Sequence, residues 1–334
     1  MTPAPYQALI IGCGNIAGGF DMARVPHLPP LSHAGAYSRH DGFRLRACVD
    51  PDNDRRQAFA RHWDVAEHAA SVGELGKPEG AFDVISICSP TELHAEHMAQ
   101  ALALRPRVIF CEKPLTIDVA SAAQWVAECR LQGASLVVNY SRRWDPHAVE
   151  VVHQLRTGRW GAVRSVVGHY NKGILNNGGH LVDLILRLVG PLELVATACP
   201  VFDFLEYDPT VAAMLTAAKG SVPVYLNPAH AHDFAYFELE VVCEMGVLRM
   251  ESGGMGWRFR NAVPSAQFAG YRSLDTARQV QGRYMECMAR AIDDIYCHLR
   301  SGAPVASTGE EALRVHELCA QMQREALNMS TPPK

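Results

Sequence analysis

Short, uninterrupted apolar runs separate helix-like stretches in the N-terminal part of the chain. The apolar runs are residues 8–12, 43–50, 82–89, 107–111 and 135–139. The helix-like stretches are residues 54–63, 92–104 and 117–131. An apolar run without alternation is typical of a strand that is buried on both faces. Strands and helices in this order predict a doubly wound α/β domain with a parallel sheet, which we place at residues 1–141.

After about residue 145 the runs become more numerous and few helix-like stretches lie between them. The strand candidates are residues 163–170, 192–199, 211–218, 222–226, 234–244, 247–251 and 256–260. Residues 244–247 (Glu-Met-Gly-Val) predict a hairpin turn. This pattern predicts an α+β domain at residues 142–334, built on a large, mainly antiparallel open sheet. Residues 277–300 and 309–326 have helical periodicity, and we expect them to close the structure and pack back on the first domain.

Length and composition agree with two globular domains. The chain has 334 residues, of which 48% are hydrophobic and 20% charged, and its formal net charge is −4. Without a basic surplus it is not expected to bind nucleic acid. The ten cysteines form no C-x-x-C pair and no Cys/His cluster at zinc spacing, which predicts reduced core thiols, no metal site and a cytoplasmic location. The N-terminal residues resemble neither a signal peptide nor a membrane anchor.

The first apolar run ends in a glycine turn, Gly12-Cys13-Gly14-Asn15-Ile16-Ala17. In the G-x-G-x-x-A pattern the first glycine permits a tight turn, and the second lets the backbone approach a pyrophosphate. The small third residue lets the next helix pack closely, with its N–H groups facing the anion. A plain strand-to-helix turn is the alternative, but the position of the motif after the first strand favours cofactor binding.

The second apolar run ends at Asp50, where a carboxylate can accept hydrogen bonds from an adenosine ribose and repel a 2′-phosphate. This favours NAD. The spacing from the glycine turn is longer than usual because residues 21–30 form an insertion. Arg55 and Arg56 leave NADP open as the alternative, although they also suit a solvated first turn of a helix.

The next two strand ends supply further candidates, since ligands of open α/β sheets bind beyond the carboxyl ends of the strands. Ser89, Pro90, Thr91 and His94 follow one strand, and His94 could equally be an ordinary helix-surface residue. Glu112 and Lys113 end the neighbouring strand. A partly desolvated lysine has a lowered pKa and can exchange a proton with a substrate hydroxyl.

A final constellation lies in the second domain, from Tyr170 to Asp183. His180 and Asp183 are three residues apart at the start of an amphipathic helix and so share a face. The glycines before that helix would let its N-terminus approach a ligand. A capping turn with a hydrogen-bonded histidine is the structural alternative.

These motifs together resemble the Gfo/Idh/MocA family of oxidoreductases. The resemblance covers most of the chain and rests on the glycine turn, the Ser-Ile-Cys-Ser-Pro-Thr strand end, Glu112-Lys113-Pro114, residues 139–146 and the His180 region. It implies a Rossmann domain and a second domain whose open sheet often mediates oligomerisation. It also implies NAD(P)-dependent oxidation or reduction of sugars, cyclitols and related hydroxyl compounds. The family lysine that transfers a proton corresponds to Lys113, and a family histidine corresponds to His180.

The chain departs from the resemblance at Asn176, where many sugar and inositol dehydrogenases of the family have an aspartate. Asparagine cannot take a proton, so the Lys/Asp/His set is incomplete. The surrounding segment resembles a branch associated with surface-polysaccharide and nucleotide-sugar gene sets. Residues expected to hold an anionic substrate are Arg142, Arg143, Lys172, Asn176 and Asn177, although internal salt bridges explain the cations equally well.

The sequence therefore predicts an NAD(P)-dependent dehydrogenase or reductase that acts on a sugar, a nucleotide sugar or a related polyol. We expect Lys113 and His180 to be catalytic. Residues expected to border the cofactor are Gly12, Gly14, Asn15, Ile16, Asp50, Ser89, Pro90, Thr91, His94, Glu112 and Lys113. A homodimer or homotetramer is expected, because helices can cover only one face of the second sheet. The alternatives are a non-catalytic ligand-sensing protein on the same fold and a reductase of a planar, non-sugar substrate.

Overall fold

The computed structural model describes residues 4–25, 27–198 and 200–329. The chain divides into two compact units. One contains the residues up to Trp144 together with Met285–Arg314, and the other contains Asp145–Tyr284 together with the residues from Val315 onward. The functional division at residue 141, with the cofactor bound before it and the substrate after it, stays a prediction.

A parallel six-stranded sheet forms the centre of the first unit. Its strands are β1 (Tyr6–Ile11), β2 (Phe43–Val49), β3 (Glu67–Ala69), β4 (Val84–Ile87), β5 (Val108–Cys111) and β6 (Ser135–Val138). The order β3-β2-β1-β4-β5-β6 reverses direction at β1, which is the doubly wound arrangement of a Rossmann domain. The strands β4 and β5 are buried along their whole length, as the uninterrupted apolar runs predict. The predicted α/β domain is therefore confirmed.

A nine-stranded, mainly antiparallel sheet forms the second unit, with a separate two-stranded hairpin. The strands are β7 (Val163–Tyr170), β8 (Leu192–Thr197), β9 (Val201–Leu205), β10 (Asp208–Thr210), β11 (Ala213–Ala217), β12 (Val222–Pro228), β13 (Phe237–Cys243), β14 (Gly246–Glu251), β15 (Gly256–Pro264), β16 (Arg272–Leu274) and β17 (Arg278–Gln281). The large sheet runs β16-β15-β14-β13-β7-β12-β11-β8, with β17 beside β15, and β9 pairs only with β10. Only β7 and β12 pair in parallel among these described strands. This confirms the predicted α+β architecture.

Helices complete both units. They are α1 (Phe20–Met22), α2 (His33–Tyr37), α3 (Asn53–His62), α4 (His94–Ala103), α5 (Val119–Gln132), α6 (Pro146–Arg156), α7 (Gly179–Val189), α8 (Cys287–Ser301) and α9 (Gly309–Met329). Side chains at their ends explain several boundaries. Asp52 and Asp118 accept backbone N–H bonds at the starts of α3 and α5, and Gly133 ends α5 at a φ of +74°. Across the described residues, no helix has the length and apolarity to span a membrane.

Buried and half-buried side chains alternate along strands of the second sheet, so its two faces differ. Along β13, Phe237, Leu239, Val241 and Cys243 are buried, and the residues between them are half-buried. On the buried side α7 packs against β7, where Gly168 leaves room for Leu181. A Cβ at Gly168 would lie 2.6 Å from that side chain. This packing positions the start of α7, which carries His180.

Two sequence predictions need correction or extension, and several elements were not predicted. Residues 278–281, expected as helix, form β17 because their backbone pairs with β15, and the helix begins only at Cys287. Strand β8 ends at Thr197, and the rest of the predicted strand includes Cys199, which lies outside the described residues. The elements that the sequence did not predict are β3, β9, β10, β16, α2 and α6. The hairpin at residues 244–247 is confirmed by the pairing of Cys243 with Gly246.

Candidate active site

The glycine turn leaves β1 through a conformation that favours glycine. Gly12 has a φ of +90°, and a Cβ built there would lie 2.7 Å from the backbone nitrogen of Ser89. Gly14 has a φ of −76°, and a Cβ built there would meet no atom within 4 Å. The turn is thus closed against the neighbouring strand at Gly12 and open at Gly14. An open backbone at this position is what the close approach of a pyrophosphate requires.

The segment after the turn is shorter than the predicted helix. Asn15–Gly19 is a π-helical turn, and the three-residue α1 follows it. The amide groups expected to face an anion therefore belong to this short turn. Gly18 packs most tightly, since a Cβ there would lie 2.4 Å from Nε1 of Trp63. Asn15 is exposed and Ile16 is half-buried.

Asp50 is buried at the end of β2, with only 3% of its surface exposed. Its Oδ2 accepts a hydrogen bond of 2.8 Å from the backbone N–H of Cys13, and its Oδ1 accepts one of 2.9 Å from that of Asp52. The carboxylate therefore holds the glycine turn in place, which the sequence did not predict. Each oxygen can accept a second hydrogen bond. The predicted contact with a ribose hydroxyl is compatible with this arrangement and stays a prediction.

The two arginines after β2 differ in their surroundings. The side chain of Arg55 is 53% exposed, and its Nη1 lies 3.6 Å from Oδ2 of Asp50. Arg56 donates hydrogen bonds to the backbone oxygen of Asp50 and to Oδ1 of Asn53. Arg55 is therefore the more accessible cation beside the residue that is expected to choose between NAD and NADP.

At the end of β4, His94 is buried and joins two loops. Its Nε2 lies 2.9 Å from the backbone oxygen of Ser89, and its Nδ1 lies 2.9 Å from that of Pro114. The ring is 1% exposed, so it positions backbone rather than presenting a surface. Of the other candidates here, Pro90 is exposed and Thr91 is half-buried. Their contact with a cofactor stays a prediction.

Glu112 and Lys113 follow β5 directly, and both are half-buried. Oε1 of Glu112 accepts hydrogen bonds from Nδ2 of Asn139 at 2.6 Å and from Nε2 of His33 at 2.9 Å. Burial by itself raises the pKa of the Glu112 carboxyl. The His33 and Asn139 hydrogen bonds and the Lys113 ammonium outweigh burial, so this pKa lies below its usual value. Lys113 therefore follows a carboxylate that is held ionised.

Arg142 and Arg143, predicted to bind substrate, are buried in the first unit at 5% and 4% exposure. Arg143 donates a 2.9 Å hydrogen bond to the backbone oxygen of Ala306 and forms an ion pair with Glu311. Burial raises the pKa of Glu311, but the hydrogen bond from Arg143 and its charge reverse this effect and the pKa is lowered. A structural role accounts for Arg143, and a substrate contact stays a prediction for both arginines.

In the second unit, two buried carboxylates hold the segment that precedes α7. Gly173–Gly178 is a π-helical turn, and Lys172 before it has a left-handed φ of +66°. Asp208 of β10 accepts hydrogen bonds from the backbone N–H groups of Leu175 (2.9 Å) and Asn176 (2.8 Å). Asp203 of β9 accepts one from the N–H of Lys172 at 3.3 Å. The hairpin β9–β10, which the sequence did not predict, thus shapes this turn.

A cavity of 430 Å³ opens beside the turn. The polar residues that line it are Asn171, Lys172, Asn176, Asn177, Tyr236, Glu238 and Ser252. The structure therefore brings three predicted substrate residues, Lys172, Asn176 and Asn177, to one cavity of the second unit. Amide, ammonium, phenol and carboxylate groups together can both donate to and accept from hydroxyl groups.

His180 is half-buried in the first turn of α7, and Asp183, one turn later, is 1% exposed. Both residues lie on α7, as the sequence predicts. Asp183 is too deeply buried to offer a carboxylate to solvent. Of the predicted pair, His180 is the accessible member, and its catalytic role stays a prediction.

Sequence reasoning missed two groups of side chains. In the first unit these are His33 and Asn139, which bind Glu112, and Ser86 and Tyr37, which continue the hydrogen bonds from His33. In the second unit these are Asp203, Asp208, Tyr236 and Glu238. Ser86 and Asn139 open two of the quoted motifs, but neither was assigned a role. The others stand outside every quoted motif and reach their places through contacts between segments distant in the sequence.

Comparison with known proteins identifies the family of the first unit. Residues 6–140 match the Gfo/Idh/MocA model, described as an oxidoreductase family with an NAD-binding Rossmann fold. Residues 6–140 belong to the Gfo/Idh/MocA family of oxidoreductases. The predictions of the family, of an enzyme and of a nicotinamide dinucleotide cofactor are thereby confirmed.

Individual relatives extend the match beyond the first unit. Inositol 2-dehydrogenase of Rhizobium meliloti (strain 1021) is 26% identical over 305 residues, which are 84% of this chain and 88% of the relative. D-glucoside 3-dehydrogenase of Escherichia coli (strain K12) is 24% identical over 204 residues, or 57% of this chain and 53% of the relative. A 3-ketoreductase from Actinomadura kijaniata, solved with NADP and TDP-benzene, has a TM-score of 0.76 at 20% identity and covers 96% of this chain and 98% of its own. The solved structure supports the fold of the chain.

Proposed function

We propose that this oxidoreductase transfers a hydride between a nicotinamide dinucleotide and a hydroxyl or keto carbon of a sugar, a nucleotide sugar or a related polyol. One observation carries the proposal: Lys113 stands at the carboxyl edge of a Rossmann sheet, next to an ionised carboxylate. The glycine turn of the same sheet is open at Gly14. A proton-transfer group and a cofactor turn on one sheet are the parts that such a reaction requires.

When bound, the cofactor supplies or accepts the hydride. We propose that Gly12, Gly14, Asn15 and Ile16 form its pyrophosphate site. Asp50 is proposed to hold the adenosine ribose, which favours NAD, with NADP as the second choice because Arg55 is accessible beside it. Lys113 gives or takes the hydroxyl proton. His180 is proposed to orient the substrate oxygen without help from Asn176, whose amide cannot relay a proton.

The substrate class rests on the relatives and on the cavity of the second unit. The relatives named above are an inositol 2-dehydrogenase, a D-glucoside 3-dehydrogenase and a 3-ketoreductase solved with TDP-benzene. The cavity beside Lys172, Asn176 and Asn177 has polar groups of both kinds, donors and acceptors. A ring alcohol, or the ketone formed from it, is therefore the substrate that we propose, and Lys172 provides one cation for an anionic substituent.

We further propose that the protein is a cytoplasmic homodimer or homotetramer that assembles through the second sheet. On the half-buried face of this sheet Val167, Val242 and Val247 lie on adjacent strands. They are flanked by Arg249, which donates a 2.7 Å hydrogen bond to Glu238. Val242 pairs with Val247, while Val167 lies opposite Glu240, and such a mixed face of apolar and charged side chains suits a second copy of the same sheet. Light scattering at micromolar concentration tests the assembly, and a monomer would refute it.

The reaction is tested by following nicotinamide absorbance with NAD(H) and NADP(H) against a panel of polyols, sugars and nucleotide sugars. We expect turnover with at least one ring alcohol or its ketone, and tighter binding of NAD(H) than of NADP(H). Binding of neither cofactor would refute the proposed reaction. Cofactor binding without turnover on any member of the panel would instead favour the ligand-sensing alternative.

A further inference from the structure

A chain of four polar side chains crosses the interior of the first unit and ends at the residue before Lys113. Tyr37 of α2 and Ser86 of β4 are linked by a 2.9 Å hydrogen bond between their hydroxyl groups. Oγ of Ser86 lies 3.1 Å from Nδ1 of His33, at the start of α2. Nε2 of His33 lies 2.9 Å from Oε1 of Glu112. The chain thus joins α2 and β4 to the carboxyl end of β5.

The hydrogen bonds have one consistent direction. A carboxylate can only accept, so Nε2 of His33 carries the proton that it donates to Glu112. In the tautomer with its proton on Nε2 alone, Nδ1 accepts from Ser86, and Ser86 accepts from Tyr37. Burial raises the pKa of Tyr37 above its usual value, so its hydroxyl keeps the proton that begins the series.

The surroundings leave the His33 ring one orientation. The side chain is fully buried, and its ring packs against that of Phe110 at a centroid distance of 4.5 Å. The side chain of Glu112 is 13% exposed, so the carboxylate lies between this buried histidine and the outside of the unit. Both observed hydrogen bonds, from His33 and from Asn139, converge on Oε1. The carboxylate is therefore fixed from its inner side.

We propose that His33 is a positioning residue for Lys113: by donating to Oε1 it holds the Glu112 carboxylate, and hence the backbone that carries the lysine, in one place and one charge state. The proposal rests on the proton-transfer role of Lys113 proposed above. A hydrogen bond to an ionised group is among the stronger ones in a protein interior. Without it, Oε1 keeps only the bond from Asn139, and the carboxylate is free to turn away.

The other ionisable groups near Glu112 do not replace this charge. Cys88 and Cys111 stand at the ends of β4 and β5. Burial, first, and the nearby charge of Glu112 raise the pKa of both thiols well above the usual value, so they remain neutral. Glu112 is therefore the negative charge that stands beside Lys113 at the end of β5. Its orientation should influence turnover more than it influences binding.

Two substitutions at His33 separate positioning from packing. In His33→Gln the side-chain amide reaches the position of Nε2 and can still donate to Glu112. In His33→Asn the amide reaches only the position of Nδ1, so the bond to Glu112 is lost. We expect His33→Asn to lower kcat by about tenfold or more, as for loss of a charged hydrogen bond, and His33→Gln to restore most of this loss. Cofactor Kd and substrate KM should stay within about threefold in both variants.

A double-mutant cycle with Glu112→Gln supplies the second readout, because it isolates the coupling between His33 and Glu112. If His33 acts through the carboxylate, His33→Asn should have little further effect on kcat once Glu112 is already glutamine. Equal loss of kcat in His33→Asn and His33→Gln, in step with their thermal midpoints, would overturn the proposal. Additive effects in the cycle would also overturn it.

Lys113→Met, measured on the same substrate, separates the proposed role of Lys113 from the proposed role of His33. If Lys113→Met keeps its turnover, the proposed role of the lysine fails and the positioning role fails with it. If Lys113→Met loses turnover while His33→Asn keeps it, only the role of His33 is refuted.

Discussion

Each unit contains one π-helical turn that follows a strand, Asn15–Gly19 after β1 and Gly173–Gly178 after β7. Both turns are entered through a glycine of positive φ, +90° at Gly12 and +87° at Gly173. A buried aspartate accepts backbone N–H groups at both places: Asp50 binds that of Cys13 just before the first turn, and Asp208 binds two within the second. A glycine of positive φ and a buried aspartate therefore occur at both turns, although we assign different ligands to the two.

The two turns differ in what lies beside the glycine. The first is open at Gly14, where a Cβ would meet nothing within 4 Å, as an approaching pyrophosphate requires. The second is closed, since a Cβ at Gly173 would lie 2.1 Å from Oδ2 of Asp208, and it presents the side chains of Lys172 and Asn176 to a cavity. The first turn thus offers backbone to its ligand, and the second offers side chains.

The largest expected effect belongs to a residue outside both turns. Lys113→Met should lower turnover by about two orders of magnitude or more, because it removes the proposed general acid or base. Cofactor Kd and substrate KM should stay within a few-fold, since neither turn is altered. Steady-state kinetics and cofactor titration measure both quantities, with Lys219→Met in an exposed turn as the control. Near-normal turnover in Lys113→Met would make the lysine structural.

Alanine substitutions at Gly12 and Gly173 should affect different ligands, the cofactor and the substrate respectively. In Gly12→Ala the alanine is strained, because φ is positive there and its Cβ would contact the backbone of Ser89. We therefore expect cofactor Kd to rise by at least about tenfold. Gly173→Ala forces the same strain against Asp208, so we expect substrate KM to rise similarly while cofactor Kd stays unchanged. NAD(H) titration measures Kd and steady-state kinetics measure KM in both variants, after circular dichroism has shown that they fold. A loss of cofactor affinity in Gly173→Ala alone would break the comparison.

The Asp208 carboxylate should contribute to stability through its two backbone partners. Asp208→Asn leaves one acceptor oxygen for the N–H groups of Leu175 and Asn176, so one buried donor loses its bond. We expect the free energy of unfolding to fall by about 1–3 kcal/mol in chemical denaturation. Asp233→Asn, at an exposed position of the same unit, is the matched control. If the two variants were equally stable, the turn would be held by other contacts.

The smallest expected effect is a change in how the thermal midpoint falls at acid pH. The pKa of Glu112 is below its usual value of 4.5 in the folded protein, so the ionised carboxylate stabilises the fold above that value. This stability is lost as the pH falls through the lower, folded pKa. Glu112→Gln should therefore flatten the decline in thermal midpoint below about pH 4.5. Glu317→Gln, at an exposed position of α9, should leave the curve as in the wild type.

The two turns also show what the sequence could predict. The first was recognised because G-x-G-x-x-A is a local stereochemical pattern, and Asp50 because it ends the next apolar run. The second turn was placed by His180 and its glycines, but Asp203 and Asp208 were not predicted, since they reach it from more than 25 residues away. The helix predicted at residues 278–281 was wrong for a related reason, because pairing with β15 decides the conformation there.

The same limit applies around Lys113. The strand end Glu112-Lys113 could be predicted because an apolar run leads directly to it. His33 could not, because it stands in the short helix α2 after an insertion and meets Glu112 at a sequence distance of 79 residues. Arg143 looked like a cation for substrate, yet burial and the ion pair with Glu311 give it a structural partner. Sequence patterns thus identified strand ends and turns, and the remote side chains that hold them came only from the fold.

The central claim, that the first turn binds the cofactor through open backbone, is tested most directly by titrating NAD(H) into Gly14→Ala. A Cβ at Gly14 meets no atom within 4 Å and the φ of −76° suits alanine, so folding should be unaffected. Gly73→Ala, where the nearest atom is 4.0 Å away, is the matched control. The account predicts wild-type thermal midpoints for both variants and a Kd raised by about tenfold or more for Gly14→Ala alone. Wild-type affinity in Gly14→Ala would contradict it.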